Sequence, residues 1–134
     1  MFLGYTDGEL ESGLAQRARV SEWIRRLRPT VVLGHDPWKR YRLHPDHRHA
    51  GLLTTEGVVA ARDPKFFPDQ LGGSTGLTHH RPEAILLWEA DEPDHVEDVN
   101  GWMDAKYAAL LAHQSQFEST MKATTDDQMA AFRA

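Results

Sequence analysis

Two short runs of β-branched and apolar residues constrain the fold of this chain more than any other feature: Thr30-Val31-Val32-Leu33-Gly34 and Ala84-Ile85-Leu86-Leu87-Trp88. Neither alternates apolar with polar residues, so each fits a strand buried on both faces, as in a parallel sheet. Before the first run, Leu10, Leu14 and Ala18 recur at helical spacing and are continued by Val20, Ile24 and Leu27. Pro29 ends that helix, because the residue before a proline is pushed out of the α region. Between the runs a second helix is expected from about Asp46, with Ala50, Leu53, Gly57, Val58 and Ala61 inward. Helix, strand, helix and strand in this order is α/β logic. The fold class expected is a Rossmann-like parallel sheet flanked by helices, in one domain over residues 1–134.

The connecting segments add detail. Residues 63–82 contain Pro64, Pro68, Gly72, Gly73 and Gly76 and read as a long loop. A short extended piece around His95–Val99 is expected before a helix from about Asn100 to Gln116, with Trp102, Ala105, Ala109 and Leu110 as its apolar face. The last dozen residues read as a frayed terminal helix. Two strands are few for a doubly wound sheet, and the chain opens on a turn and helix with no strand of its own. Strands are therefore expected upstream of Met1.

Composition excludes several classes of function. A net charge of −5 gives no basic face for a nucleic acid. Arg25-Arg26-Arg28 reads as a solvated helix end, whereas Lys39-Arg40-Arg42 lies beside a group of histidines. The absence of cysteine removes disulfides, thiolate nucleophiles and thiolate metal sites, and suits a reducing cytoplasm. No apolar run approaches the roughly 18–20 residues of a membrane span. The opening Met1-Phe2-Leu3-Gly4 lacks the pattern of a signal peptide. A soluble, cytoplasmic protein is expected.

Four of the eight histidines, His35, His44, His47 and His49, fall just after the first strand, where open α/β sheets bind ligands. Within His44-Pro45-Asp46-His47, the proline holds His44 extended, and the Asp46 carboxylate is expected to hydrogen-bond an imidazole and set its tautomer. From spacing alone two readings stand: a site, or solvated histidines with Asp46 as a helix N-cap. Two histidines and a carboxylate do not complete a catalytic zinc site, which takes three protein ligands and a water. Trp38, in a polar loop, is a candidate for substrate contact. His35 either lines a pocket or satisfies backbone groups. His79-His80, Trp88 and Trp102 have structural readings.

The stretch Val31-Val32-Leu33-Gly34-His35-Asp36-Pro37-Trp38, followed by Arg42-Leu43-His44-Pro45-Asp46-His47-Arg48-His49-Ala50-Gly51, resembles the second signature of the PIG-L/LmbE-like deacetylases. Phe2 through Leu10 and Lys106 through Gln116 also resemble segments of that family. The resemblance implies a zinc hydrolase that removes an N-acetyl group from an N-acetylglucosaminyl-type conjugate. It implies that His47 is the third zinc ligand, and that His44 stabilises the oxyanion and protonates the leaving amine. Asp46 would orient His44, and Asp7 would contact sugar hydroxyls. The family's first signature, Ala-His-Pro-Asp-Asp-Glu, has no counterpart here, so two zinc ligands and the general base are absent from these residues. A fragment of a longer enzyme is the favoured expectation; the alternative is a non-catalytic relative that binds a sugar conjugate or a protein. In the latter, an unpaired sheet edge would promote homo-oligomers.

Overall fold

The computed structural model describes residues 2–133, so Met1 and Ala134 lie outside the description. It consists of two compact units, divided between Asp94 and His95. In the first unit, helix α1 (Leu14–Leu27) leads to strand β1 (Val31–His35). Helix α2 (Pro45–Arg62) then connects β1 to strand β2 (Ala84–Trp88). The two strands pair in parallel, from Val31 opposite Ala84 to His35 opposite Trp88. Parallel neighbours need a crossover of this kind, because a tight turn would reverse the chain. The α/β class and the parallel sheet flanked by helices are as expected.

Helix α1 begins later than its apolar spacing suggests. Gly8 and Leu10 donate their backbone N–H groups to the Asp46 carboxylate, which draws this segment to the start of α2. At the other end Arg28 adopts a left-handed conformation (φ 49°) and its N–H bonds Ile24 O, closing the helix before Pro29. The buried face follows the apolar spacing only in part: Val20 and Ile24 pack inward as expected. Leu14 and Leu27 are exposed, while Ser21, Ile24 and Arg25 are buried. The core of the unit is Ile24, Val58 and Ala61, with Val20, Val32 and Ile85 packed against it. Helix α2 buries Leu53, Gly57, Val58 and Ala61 as expected. Gly57 lets the helices approach closely: a Cβ there would stand 2.6 Å from Val20 Cγ1.

Strand β1 differs from its expectation in one respect. Gly34 is buried, but Val31 and Leu33, which point to the opposite face, are 43% and 61% exposed. Successive side chains alternate across a strand, and α2 covers only one side of this one. The strand is buried on a single face.

The segment 63–82 is anchored throughout. It contains helical turns at Pro68–Gln70 and Gly73–Thr75 and a bridge between Gly72 and Leu77. The Arg25 guanidinium fastens it. Its nitrogens donate to Ala60 O, Ala61 O, Asp63 O, Phe66 O, Phe67 O and Gln70 Oε1, at 2.8 to 3.3 Å. Arg25 is 1% exposed, so the solvated-end reading of the first arginine cluster does not hold for it. Burial lowers its pKa, and the Asp63 carboxylate opposes that shift.

The second unit, residues 95–133, holds helix α3 (Met103–Leu111) and helix α4 (Asp126–Arg133), with short turns of 3₁₀ and π type over 114–121. Helix α3 is shorter than expected, because the backbone leaves helical geometry at His113 (φ −90°, ψ 63°). Its expected apolar face is not buried: Trp102, Ala105 and Ala109 are exposed. Tyr107 meets Phe132 edge to face, with ring centroids 6.2 Å apart. Among the described residues no helix is long and apolar enough to cross a membrane.

Candidate active site

The chemistry-bearing residues collect where β1 ends and α2 begins. Pro45 occupies the first turn of α2, where its missing N–H leaves nothing unsatisfied. The N-cap is His44, and its Nδ1 accepts from the backbone N–H of Asp46 at 3.3 Å. Asp46 thus reaches His44 through its backbone. Its carboxylate, expected on an imidazole, instead accepts from Gly8 N (2.7 Å) and Leu10 N (3.3 Å). The acid beside His44 is Asp7, whose Oδ1 lies 3.8 Å from His44 Nε2. Tying residues 8 and 10 to the start of α2 is what carries Asp7 there. Since Nδ1 accepts, the neutral ring of His44 carries its hydrogen on Nε2, on the side of Asp7.

Three imidazoles form a stack. His44 and His47 have centroids 4.8 Å apart at 19°, and His47 and His35 have centroids 4.3 Å apart at 9°. His35 is delivered by the last residue of β1 and is paired in register with Trp88. The Trp88 indole donates to His35 Nδ1 at 2.8 Å, and the two rings meet edge to face. Burial lowers the pKa of His35, and the neighbouring His47 and Arg42 lower it further, while Glu89 opposes them.

The second basic cluster is used internally. Arg42 is almost fully buried and pairs with Glu89 while donating to Asp36 O. Hydrogen bonding from Arg42 holds the Glu89 carboxyl below the usual range, which burial opposes. Lys39 Nζ donates to Glu89 O at 2.8 Å, and Arg40 N to Asp91 Oδ2 at 2.7 Å. The loop that presents His44 is therefore bolted to the chain leaving β2. Trp88, Arg42 and Glu89 were not among the residues the sequence singled out for the site. The signal that identifies Trp88 is the strand register, which sets it opposite His35.

Trp38 lies elsewhere. It lines a groove with Arg17, Thr55, Glu56, Val59 and Phe66. Thr55 and Val59 are two to three turns beyond His47, about 12–18 Å along the helix axis. His80 is structural, with Nε2 2.8 Å from Pro29 O. His79 lines a separate surface groove with Arg62 and Arg81. His49 bonds Ser12 Oγ at 3.0 Å.

Gly51 sets the distance between α2 and the end of β1. A Cβ at this position would stand 2.5 Å from His35 O and 2.9 Å from Pro37 N, and neither backbone atom can turn aside. Gly51→Ala is expected to destabilise the protein by about 1–3 kcal/mol, as overpacking does. It should also perturb the His35 and His47 resonances first. Urea unfolding with imidazole NMR checks both effects, and an unchanged midpoint would refute the close contact.

The described residues contain no group of three or more His, Cys, Asp or Glu side chains that could hold a metal ion. The stacked rings lie face to face and do not converge on a common point. Residues 2–133 therefore do not by themselves form a complete zinc site.

No protein-family model matches the chain. Curated relatives do. A diacetylchitobiose deacetylase of Thermococcus kodakarensis is 37% identical over 115 residues, covering 86% of this chain and 42% of that protein. A 1D-myo-inositol 2-acetamido-2-deoxy-alpha-D-glucopyranoside deacetylase of Mycolicibacterium gilvum is 33% identical over 129 residues, covering 84% of this chain and 44% of the relative. Among solved structures, the N,N'-diacetylchitobiose deacetylase of Pyrococcus horikoshii superposes with a TM-score of 0.78 at 31% identity, covering 96% of this chain and 45% of its own. The chain spans less than half the length of these relatives. Over the residues compared, the chain is similar in sequence and fold to deacetylases of the PIG-L/LmbE type.

Proposed function

We propose that these residues carry the histidine half of the active site of a zinc-dependent N-deacetylase acting on an N-acetylglucosaminyl-type conjugate. The observation that carries this reading is the placement of His44 and His47 at the start of α2, with the Nε2 of His44 beside Asp7. Both relatives named above are deacetylases of N-acetylated sugars.

In this reading the neutral His44 ring donates from Nε2 to the acetyl oxygen as negative charge develops there, in the manner of an oxyanion hole. To protonate the leaving amine, the ring must first become the imidazolium by taking a proton from solvent at Nδ1; it then gives its Nε2 proton to the amine and is left neutral with the hydrogen on Nδ1. The proton taken at Nδ1 displaces the contact from Asp46 N, which is long at 3.3 Å. Asp46 positions both sides of the site: its N–H orients His44, and its carboxylate holds the segment bearing Asp7. Asp7, with its side chain almost fully exposed, is free to accept from sugar hydroxyls. Trp38 contacts only a substrate long enough to reach along α2. His47 offers one nitrogen to zinc, whose role when bound is to polarise the acetyl group and activate water. The other two ligands come from polypeptide outside these residues.

The same reading places the protein in the cytoplasm, consistent with a chain free of cysteine, and gives it an amino-sugar partner and no nucleic acid. The uncovered face of β1, with Val31 and Leu33, favours homo-oligomers. A second reading, a non-catalytic module that binds a sugar conjugate, is favoured by the incomplete ligand set. The two are separated by measuring acetate release from N-acetylglucosaminyl conjugates and zinc per chain, on the polypeptide expressed from its native gene. Acetate release with about one zinc retained through dialysis supports the enzyme. Conjugate binding with neither zinc nor acetate supports the module.

A further inference from the structure

A histidine that ligates a metal or transfers a proton is ordinarily oriented by a hydrogen bond to its second ring nitrogen. Among the described residues the His47 ring makes no such bond. Its faces are occupied instead, by His35 at 4.3 Å and His44 at 4.8 Å, both nearly parallel to it. His35, in turn, is anchored at several points. The Trp88 indole N–H donates to its Nδ1 at 2.8 Å, and the Arg42 guanidinium approaches the same nitrogen at 3.4 Å. Glu89 pairs with that guanidinium. Glu89 Oε2 also lies 3.6 Å from Nδ1, but the shorter bond from the indole N–H makes Nδ1 an acceptor and leaves the ring hydrogen on Nε2, so one tautomer and one ring plane are favoured.

We infer that His35 and Trp88 are a positioning pair for His47: the indole N–H locks the His35 ring, and the locked ring sets the plane of His47 by stacking. The constraint originates in the sheet. Parallel pairing places His35 and Trp88 opposite each other at the carboxyl ends of β1 and β2, so strand register is converted into the orientation of a side chain on α2. The inference rests on the proposed role of His47, but it is a statement about ring order and can be tested without turnover.

Imidazole and side-chain NMR on the metal-free chain provides the test. His35 should show one tautomer, with its hydrogen on Nε2, and three-bond couplings should place His47 in one χ1 rotamer. His35→Asn keeps an acceptor for the indole N–H and removes the ring; His47 should then average over rotamers and lose the upfield displacement due to its stacked neighbour. His35→Phe restores a ring without the acceptor, so the indole cannot lock it, and His47 should stay looser than in the parent chain, as in Trp88→Phe. Trp88→Phe should let His35 exchange between tautomers and loosen His47. If His35→Asn loses the dispersed β1 and β2 amide signals through unfolding, Trp88→Phe and His35→Phe carry the comparison alone. The inference is overturned if His47 already averages in the parent chain, or keeps one rotamer in both His35→Asn and Trp88→Phe. It is equally overturned if His35→Phe, a ring the indole cannot lock, holds His47 in one rotamer as firmly as the parent chain does. Ordered rings in a chain whose native form releases no acetate would refute the deacetylase reading alone, whereas acetate release with an unaffected His47 would refute the positioning pair alone.

Discussion

Arg25→Met is expected to destabilise the protein by about 3–5 kcal/mol, the range found when one partner of a buried charged network is removed. Six acceptors converge on this guanidinium: Ala60 O, Ala61 O, Asp63 O, Phe66 O, Phe67 O and Gln70 Oε1. Two of them, Ala60 O and Ala61 O, belong to the last turn of α2, where carbonyls lack partners within the helix and the helix dipole favours a cation. Methionine fills a similar volume and donates nothing, so Ala60 O and Phe66 O would lose their donor, at about 1–3 kcal/mol each where no water enters, while Ala61 O, Asp63 O and Phe67 O keep the N–H groups of His80, Phe66 and Gln70. Arg25→Lys should recover little, because one ammonium has three donors and cannot span the fork. Urea unfolding followed by tryptophan fluorescence measures the effect. A loss below about 1 kcal/mol, the range of an ordinary surface change, would show that water replaces the network.

His44→Ala is expected to lower acetate release by the native gene product about 10²–10⁴-fold, the usual contribution of a positioned acid or base. Its zinc content should hold, because His44 is assigned to the substrate oxygen and the leaving amine. His47→Ala should behave differently, losing zinc and activity together. Metal analysis beside turnover separates the two. The opposite pattern, zinc lost with His44 and kept with His47, would exchange their roles. Asp46→Asn should have an intermediate effect. Its backbone N–H still reaches His44, but an amide holds Gly8 N and Leu10 N less firmly than a carboxylate does.

Much of the fold was legible before any coordinates. The runs at 31–35 and 84–88 form strands because they are apolar, in part β-branched, and bounded by Pro29 and Pro82. The inward positions of α2 follow from helical period. What failed to read were features with no local signal. A buried arginine looks like its exposed neighbour Arg26 until the carbonyls of a loop about 40 residues away close on it. The apolar residues of α3 have the spacing of a buried face, yet Trp102, Ala105 and Ala109 are exposed.

The candidate site divides along the same line. The residue types and their grouping at the carboxyl end of a strand belong to the sequence, as does the resemblance of His44–Gly51 to a deacetylase signature. The sequence by itself therefore determined the family resemblance, the fold class and the grouping of the histidines. Only the tertiary structure decided which carboxylate sits beside His44, because Asp7 arrives through bonds between its neighbours and a residue 38 positions away. It likewise moved Trp38 along α2 and brought Trp88 onto His35. Hydrogen bonds and ring contacts act over about 3–5 Å, and at that scale partners are chosen by strand register and helix packing, which sequence spacing alone does not encode.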